Sequence, residues 1–394
     1  MQELSNSNKS PRSPFAGTRR RKLLVGLLTA ASVLLATEFV LRFFVPSQNS
    51  TRFQQINEIV VFLGTHESDL MLDFDPDRFW KLKPNIRITD ADNTFWQGQV
   101  SNSLGYRSPE FTLNKPRGMI RIVCFGDSST FGIGATMEDT WPSQLQAILQ
   151  AESTSGGLSG PRYEVINAGV PGYTSHQGLQ YMRQEIDRLQ PDIVFASYAN
   201  NDFWHWDQQT DEEHATRLKT SQGTRDILLN SRLAELIERG VSGLRRPTTV
   251  KTEQGDSPCQ HWAAAATENY FEPIDRWTKR VPLVAFESNI NHMADLCDSR
   301  KVPLILVKWP DQPQAAGRWS PRIAYQDVLE SIAAERGLQV ADAVEQFQLN
   351  RSWSVHTYIP NDIVHVNRAG NALAAIAAAT AIRRVEAQSR ALTN

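Results

Sequence analysis

The sequence predicts an α/β domain built on a parallel sheet covered by helices on both faces. One observation is a set of short apolar runs from residue 119 onward: MIRIVCF (119–125), YEVIN (163–167), DIVFASY (192–198), VPLILVKW (302–309) and LQVAD (338–342). The other is what separates them. WPSQLQAILQAE, HQGLQYMRQEIDRL, LVAFESNINHMADLCDS and RIAYQDVLESIAAERG read as helices, several with apolar residues at three- and four-residue spacing. Runs that are apolar throughout suit strands buried on both faces, and helical crossovers make neighbouring strands parallel. A sheet of about five strands follows. An Ala-rich helix from about Arg368 to Arg390 closes the domain.

Upstream the chain changes character. Residues 1–22 are rich in Ser, Asn and Pro and end in Arg19-Arg20-Arg21-Lys22, a composition that predicts a disordered basic tail. Residues 23–45, LLVGLLTAASVLLATEFVLRFFV, would form a helix about 34 Å long, enough for a bilayer core of about 30 Å. Basic residues before it place the N-terminus inside. Glu38 and Arg42, spaced i, i+4, are expected to pair near the outer end. No small-x-small site follows, which favours an uncleaved signal anchor over a cleaved signal peptide. In both cases the chain beyond residue 45 is exported.

Residues 46–116 read as a linker and N-terminal subdomain, followed by the α/β domain at 117–390. The run DFDPD (73–77) lacks the Gly and Glu of a calcium loop, with Arg78 and Pro84 at those positions, and is expected to be a solvated acidic loop. An insertion at 203–280 shows no clear strand, and 241–260 reads as an exposed loop. Arg280 at its end is expected to order it through a salt bridge. The net charge of −2 suggests no nucleic-acid partner. The three cysteines, Cys124, Cys259 and Cys297, make no metal or redox pair, although a Cys259–Cys297 bridge is open to an exported chain.

The chemistry centres on CFGDSSTFGIG (124–134). A phosphate loop would end in Gly-Lys-Ser/Thr, and no lysine follows; Gly132-Ile133-Gly134 does not continue to a dinucleotide fingerprint. A strand followed by a polar turn puts Ser128 at the carboxyl edge of the sheet, where open α/β folds keep their sites. A serine nucleophile needs a base. PNDIVHVNRAGN (360–371) offers His365 with Asp362 three residues before it, on a loop ahead of the last helix. The roles are those of a Ser-His-Asp triad: Ser128 attacks, His365 takes the proton, Asp362 orients the ring. Oxyanion donors are available from the Ser128 N–H, from AGVPGYT (168–174) with Gly169 and Gly172, and from ANND (199–202) with Asn200 and Asn201. His205, His214, His261 and His292 have no partners at metal spacing, and neither metal nor cofactor is expected.

GDSS, PGYT, ANND and DIVH, in this order, resemble the Ser, Gly, Asn and His blocks of the SGNH/GDSL hydrolase superfamily. The resemblance covers roughly residues 119–386. It implies a flavodoxin-like three-layer α/β/α fold and serine-dependent ester hydrolysis or acyl transfer. It assigns Ser128, Asp362 and His365 as the triad and Ser128, Gly172 and Asn201 as oxyanion donors, and favours Gly172 over Gly169. Asp127 is expected to be structural and Asn200 a turn residue. Ala199 stands where the family usually has Gly, which puts the width of the pocket in question. FWKLKPN…SNSLGYRSPEF resembles the lead-in of membrane-anchored bacterial members. Three functions are compatible: an esterase tethered to the bacterial inner membrane with its domain outside, an O-acyltransferase on a cell-envelope polysaccharide, and a non-catalytic glycan- or lipid-binding module. The expected partners are an ester substrate and the membrane.

Overall fold

The computed structural model describes residues 15–44, 71–88, 98–155, 160–204, 209–216, 218–219, 233, 278–350, 355–360 and 362–393. Most of the predicted insertion, including its 241–260 loop, lies outside these residues, as do Cys259, His205 and His261. The chain forms two units, one of residues 1–53 and 221–252, the other of 54–220 and 253–394.

The first unit contains helix α1 (Phe15–Phe44). Its window Leu24–Leu41 has a mean hydropathy of 2.1, and it is the one helix among the described residues long and apolar enough to cross a membrane. The helix starts inside the stretch expected to be a disordered tail. Arg and Lys are good helix formers, and a helix already nucleated by the apolar segment propagates into them at little cost. Glu38 accepts a hydrogen bond from the Leu233 N–H at 3.1 Å. The Arg42 side chain, and with it the expected Glu38–Arg42 pair, lies outside the described residues.

The second unit begins with two hairpins, β1 (Leu72–Asp75) with β2 (Phe79–Leu82) and β3 (Arg87–Ile88) with β4 (Gly98–Gln99). The acidic run DFDPD makes the first hairpin's turn, and the expectation of a solvated loop fails at its centre. Asp75 is buried because its carboxylate closes the turn: Oδ1 accepts from the Asp77 and Arg78 N–H groups, and Oδ2 from Arg78 Nη2 at 2.9 Å.

The sheet consists of β5 (Met119–Gly126), β6 (Arg162–Gly169), β7 (Ile193–Ser197), β8 (Leu304–Lys308) and β9 (Gln339–Asp342), all parallel, in the order β6-β5-β7-β8-β9. This is the flavodoxin-like order, which reverses direction beside its first strand. Each predicted apolar run coincides with one of these strands, β5 and β6 extending slightly beyond theirs. The helices are α2 (Ser128–Phe131), α3 (Trp141–Ser155), α4 (Ser175–Leu189), α5 (Leu283–Asp298), α6 (Gln312–Ala315), α7 (Ile323–Arg336), α8 (Ala343–Leu349) and α9 (Arg368–Thr393), of which α3, α4, α5, α7 and α9 were predicted and the short α2, α6 and α8 were not.

Alternation along the strands sorts the core into two layers. Val123, Phe125, Ile166, Val194 and Leu306 face α4, α5 and α7, whereas Ile122, Cys124, Val165, Phe195 and Ile305 face α3 and α9. Both faces are therefore apolar, which is why the strands read as unbroken runs. The first layer also takes in Met71, Leu72, Phe79, Trp80 and Tyr106. The N-terminal hairpin thus shares a core with the sheet, and Arg107 lies over the Phe131 ring at 4.3 Å. Cys297 is a buried free thiol on α5.

Candidate active site

β5 ends at Gly126, and the chain turns at once into α2. Asp127 caps that helix: its Oδ1 accepts from the Ser129 N–H at 2.8 Å. Burial pushes the Asp127 carboxyl up, against the pull of the Ser129 N–H and of the charges on Arg322 and His365. This cap sets Ser128 at the first helical position at the sheet's carboxyl edge.

Ser128 Oγ and His365 Nε2 lie 2.8 Å apart. His365 Nδ1 and Asp362 Oδ2 lie 2.6 Å apart. The loop carrying them is held on several sides. Ile359 N donates to His365 O, Asn367 N to Thr357 O, Gln312 N to Ile363 O, and Tyr358 bridges Val366. The three-residue spacing has a geometric reason. Asp362 Oδ1 accepts from the Val364 and His365 N–H groups at 2.7 and 2.9 Å, which leaves Oδ2 for the ring. Burial raises the Asp362 pKa, but the His365 charge and these donors outweigh it and hold the carboxyl below its ordinary value of 3.8. An ionised Asp362 keeps the proton on Nδ1, so Nε2 accepts from the serine hydroxyl.

Ser129 points elsewhere: its Oγ accepts from Asn200 Nδ2 at 2.7 Å. Asn200, expected to be only a turn residue, therefore fastens the serine next to the candidate nucleophile.

The two glycines of the second block differ in kind. The Gly169 N–H donates to Asn167 Oδ1 at 3.0 Å, and a Cβ there would sit 2.2 Å from Phe131 N. Gly169 serves close packing of α2 on β6, and its N–H is taken. Gly172 has φ +78°, a conformation open to glycine at no steric cost. Among the described residues, neither the Gly172 N–H nor the Ser128 N–H meets an acceptor. Both are buried donors with free capacity, which is what an oxyanion site requires. Asn201 is more committed. Its Nδ2 donates to Tyr173 O at 2.9 Å and lies 3.4 Å from Asp127 Oδ2. The second contact is long, so one amide hydrogen is only weakly held.

Residues outside the assigned triad and oxyanion donors complete the site's frame. Asp202 accepts from Ser175 N, Ser175 Oγ and Ala199 N, tying the third block to α4; burial pushes its carboxyl up to about 7 against those donors. Ala199 takes φ +116°, a strained backbone for any residue with a side chain. Arg280 is fully buried and meets Asp211 through two bonds of 3.0 Å, Gly172 O at 2.8 Å and Gln177 Oε1 at 2.7 Å. The expected salt bridge of Arg280 is thus present, and its Nη1 reaches the second block as well. Trp80 Nε1 donates to Pro171 O at 3.0 Å. The one available signal for Trp80 was its place in the FWKLKPN lead-in. Among the described residues, no three His, Cys, Asp or Glu side chains converge as metal ligands would.

Residues 124–373 match the model of the GDSL-like lipase/acylhydrolase family. No curated protein matches the chain. Among solved structures, the α/β hydrolase LAE5 from the metagenome of Lake Arreo, Spain, aligns at 17% identity and a TM-score of 0.41, over 66% of this chain and 94% of its own. The lipase/acylhydrolase of Enterococcus faecalis aligns at 17% identity and 0.40, over 68% and 97%. A catalytic mutant of the acetylxylan esterase Axe2 from Geobacillus stearothermophilus aligns at 16% and 0.40, over 67% and 94%. Overlaps at this level carry no inference about substrate.

Proposed function

Because the chain belongs to the GDSL-like lipase/acylhydrolase family, we propose that it is a membrane-tethered serine esterase that cleaves acyl or acetyl esters through an acyl-Ser128 intermediate. The observation that carries this reading is the unbroken contact from Ser128 Oγ through the His365 ring to Asp362, at 2.8 and 2.6 Å.

The steps follow from that geometry. Ser128 Oγ attacks the ester carbonyl as His365 Nε2 takes its proton. The oxyanion forms against the Ser128 and Gly172 N–H groups, with the weakly held Asn201 amide hydrogen as third donor. His365 then gives its proton to the leaving alkoxide, and the alcohol departs. Water, deprotonated by the same ring, attacks the acyl-serine; the acid is released and the Ser128 hydroxyl restored. Asp362 orients the ring and stabilises it while it is charged.

The apolar window Leu24–Leu41 supports a membrane anchor, and the basic run before it supports an inner-membrane location with the N-terminus inside and the domain outside. The attacking alcohol in the second half-reaction can equally be a sugar hydroxyl, which would make the protein an O-acyltransferase on a cell-envelope glycan.

The test is Ser128→Ala in the full chain. Hydrolysis of p-nitrophenyl acetate and labelling by a fluorophosphonate should both vanish while the fold persists. Undiminished turnover would refute the assignment. Failure of the unaltered protein to label would point to the non-catalytic binding module. Acylated oligosaccharide among the products, read by mass spectrometry, would move the reading to transfer.

A further inference from the structure

The N-terminal hairpin and the residue at the far end of the insertion grip the same loop. Trp80, on β2 and fully buried, donates its indole N–H to Pro171 O at 3.0 Å. Arg280, also fully buried, donates to Gly172 O at 2.8 Å. These are the two carbonyls on either side of the Gly172 Cα. The Arg280 guanidinium lies 5.8 Å from the centroid of the Trp80 ring, so the two clamps support each other. Each is anchored in turn. Tyr173 Oη donates to Trp80 O at 2.6 Å, and Arg280 is held by both oxygens of Asp211 and by Gln177 Oε1.

We propose that Trp80, assisted by Arg280, is a positioning residue for the reaction: it fixes the plane of the 171–172 peptide and thereby aims the Gly172 N–H. The reasoning rests on the acyl-serine reading above and on peptide geometry. In a trans peptide the C=O and the following N–H point in opposite directions. Holding Pro171 O toward the indole therefore turns the Gly172 N–H the other way. Gly172 sits at φ +78°, and glycine leaves the flanking peptides free to rotate unless something pins them. Binding through Gly172 O stops rotation of the following peptide. An oxyanion donor is useful only when it is oriented before charge develops. The hairpin is thus a functional part of the site, although it lies more than 40 residues before the nucleophile and carries none of the four family blocks.

The test is Trp80→Phe in the full chain, assayed with p-nitrophenyl acetate beside two controls. Tyr106→Phe removes another buried hydrogen bond of the same segment, that to Glu185 Oε2, and should cost stability without altering kcat. Ser128→Ala judges the underlying reading: if it retains hydrolysis, the esterase assignment itself has failed. If it does not, Trp80→Phe should lower kcat roughly ten- to hundredfold with KM within about twofold, since a misaimed donor weakens the transition state more than the ground state. An unchanged kcat, or a loss no larger than that of Tyr106→Phe, would overturn the proposal. Should Trp80→Phe fail to fold, benzothienylalanine at position 80 keeps the shape and exchanges the N–H for sulfur, and the same criteria apply.

Discussion

Ser128 and His365 stand 237 positions apart in the chain, and their side chains meet at 2.8 Å. The contact has the right direction only while Asp362 holds the proton on the far nitrogen. Asp362→Asn reverses this. The amide oxygen can still serve the Val364 and His365 N–H groups, but its NH2 then faces Nδ1 and forces the proton onto Nε2. Ser128 would face a donor. The expected outcome is a fall in kcat of about 10⁴-fold with little change in melting temperature, read by ester hydrolysis and circular dichroism. A loss below tenfold would remove Asp362 from the proposed triad.

Ala199 carries a strain that its replacement by glycine should release. A residue held at φ +116° costs about 1–3 kcal/mol, and glycine gives back about 0.4–1 kcal/mol through the freedom it adds to the unfolded chain. Ala199→Gly is therefore expected to stabilise the domain by about 1 kcal/mol. Urea unfolding would measure it, and a destabilised variant would contradict the strain argument.

Arg280 and Asp211 are both fully buried. Arg280→Met leaves the Asp211 carboxylate without its counter-charge and should cost about 3–5 kcal/mol. Adding Asp211→Asn should recover part of that loss, because the uncompensated charge is then gone. Equal and additive losses in a double-mutant cycle would show that the pair is not coupled.

Two carboxyls contribute to pH dependence with opposite signs. Asp362 is held below 3.8, so its contribution to stability is complete above that value and is lost as pH falls through its lower folded value. Asp202 is pushed up to about 7 by burial, so the folded state keeps its proton longer than the unfolded state does. Its contribution is complete below about 3.8 and disappears as pH rises through about 7. Relative to the unaltered protein, Asp202→Asn should therefore gain stability by up to about 1.4 kcal/mol per pH unit between these limits. Denaturant unfolding at several pH values gives the slope; a flat difference would mean that Asp202 is ionised in the folded state.

Much of the sheet and the four family blocks were legible because each is a local pattern. A run such as DIVFASY is apolar at every position only because β7 is buried on both faces, and GDSS and DIVH each lie on one short loop. The acidic run at 73–77 was misread for a related reason. Its composition suggests solvent, whereas Asp75 is needed by the backbone of its own turn. The resemblance favoured Gly172 over Gly169, but the physical difference lies in the φ of Gly172 and in the α2 backbone that stands within 3 Å of a Cβ at Gly169.

The sequence by itself determined the five strands of the sheet, the long helices around them and the apolar N-terminal segment, and it named the candidate groups for attack, proton transfer and oxyanion donation. Local periodicity and short motifs carry that information. Only the tertiary structure decided that Trp80 reaches Pro171 across 91 positions and Arg280 reaches Gly172 across 108, that Asn200 fastens Ser129, and that among the described residues the Ser128 and Gly172 N–H groups meet no acceptor. Hydrogen bonds depend on separations set to within tenths of an ångström between groups remote in the chain, and no pattern along a single sequence records them.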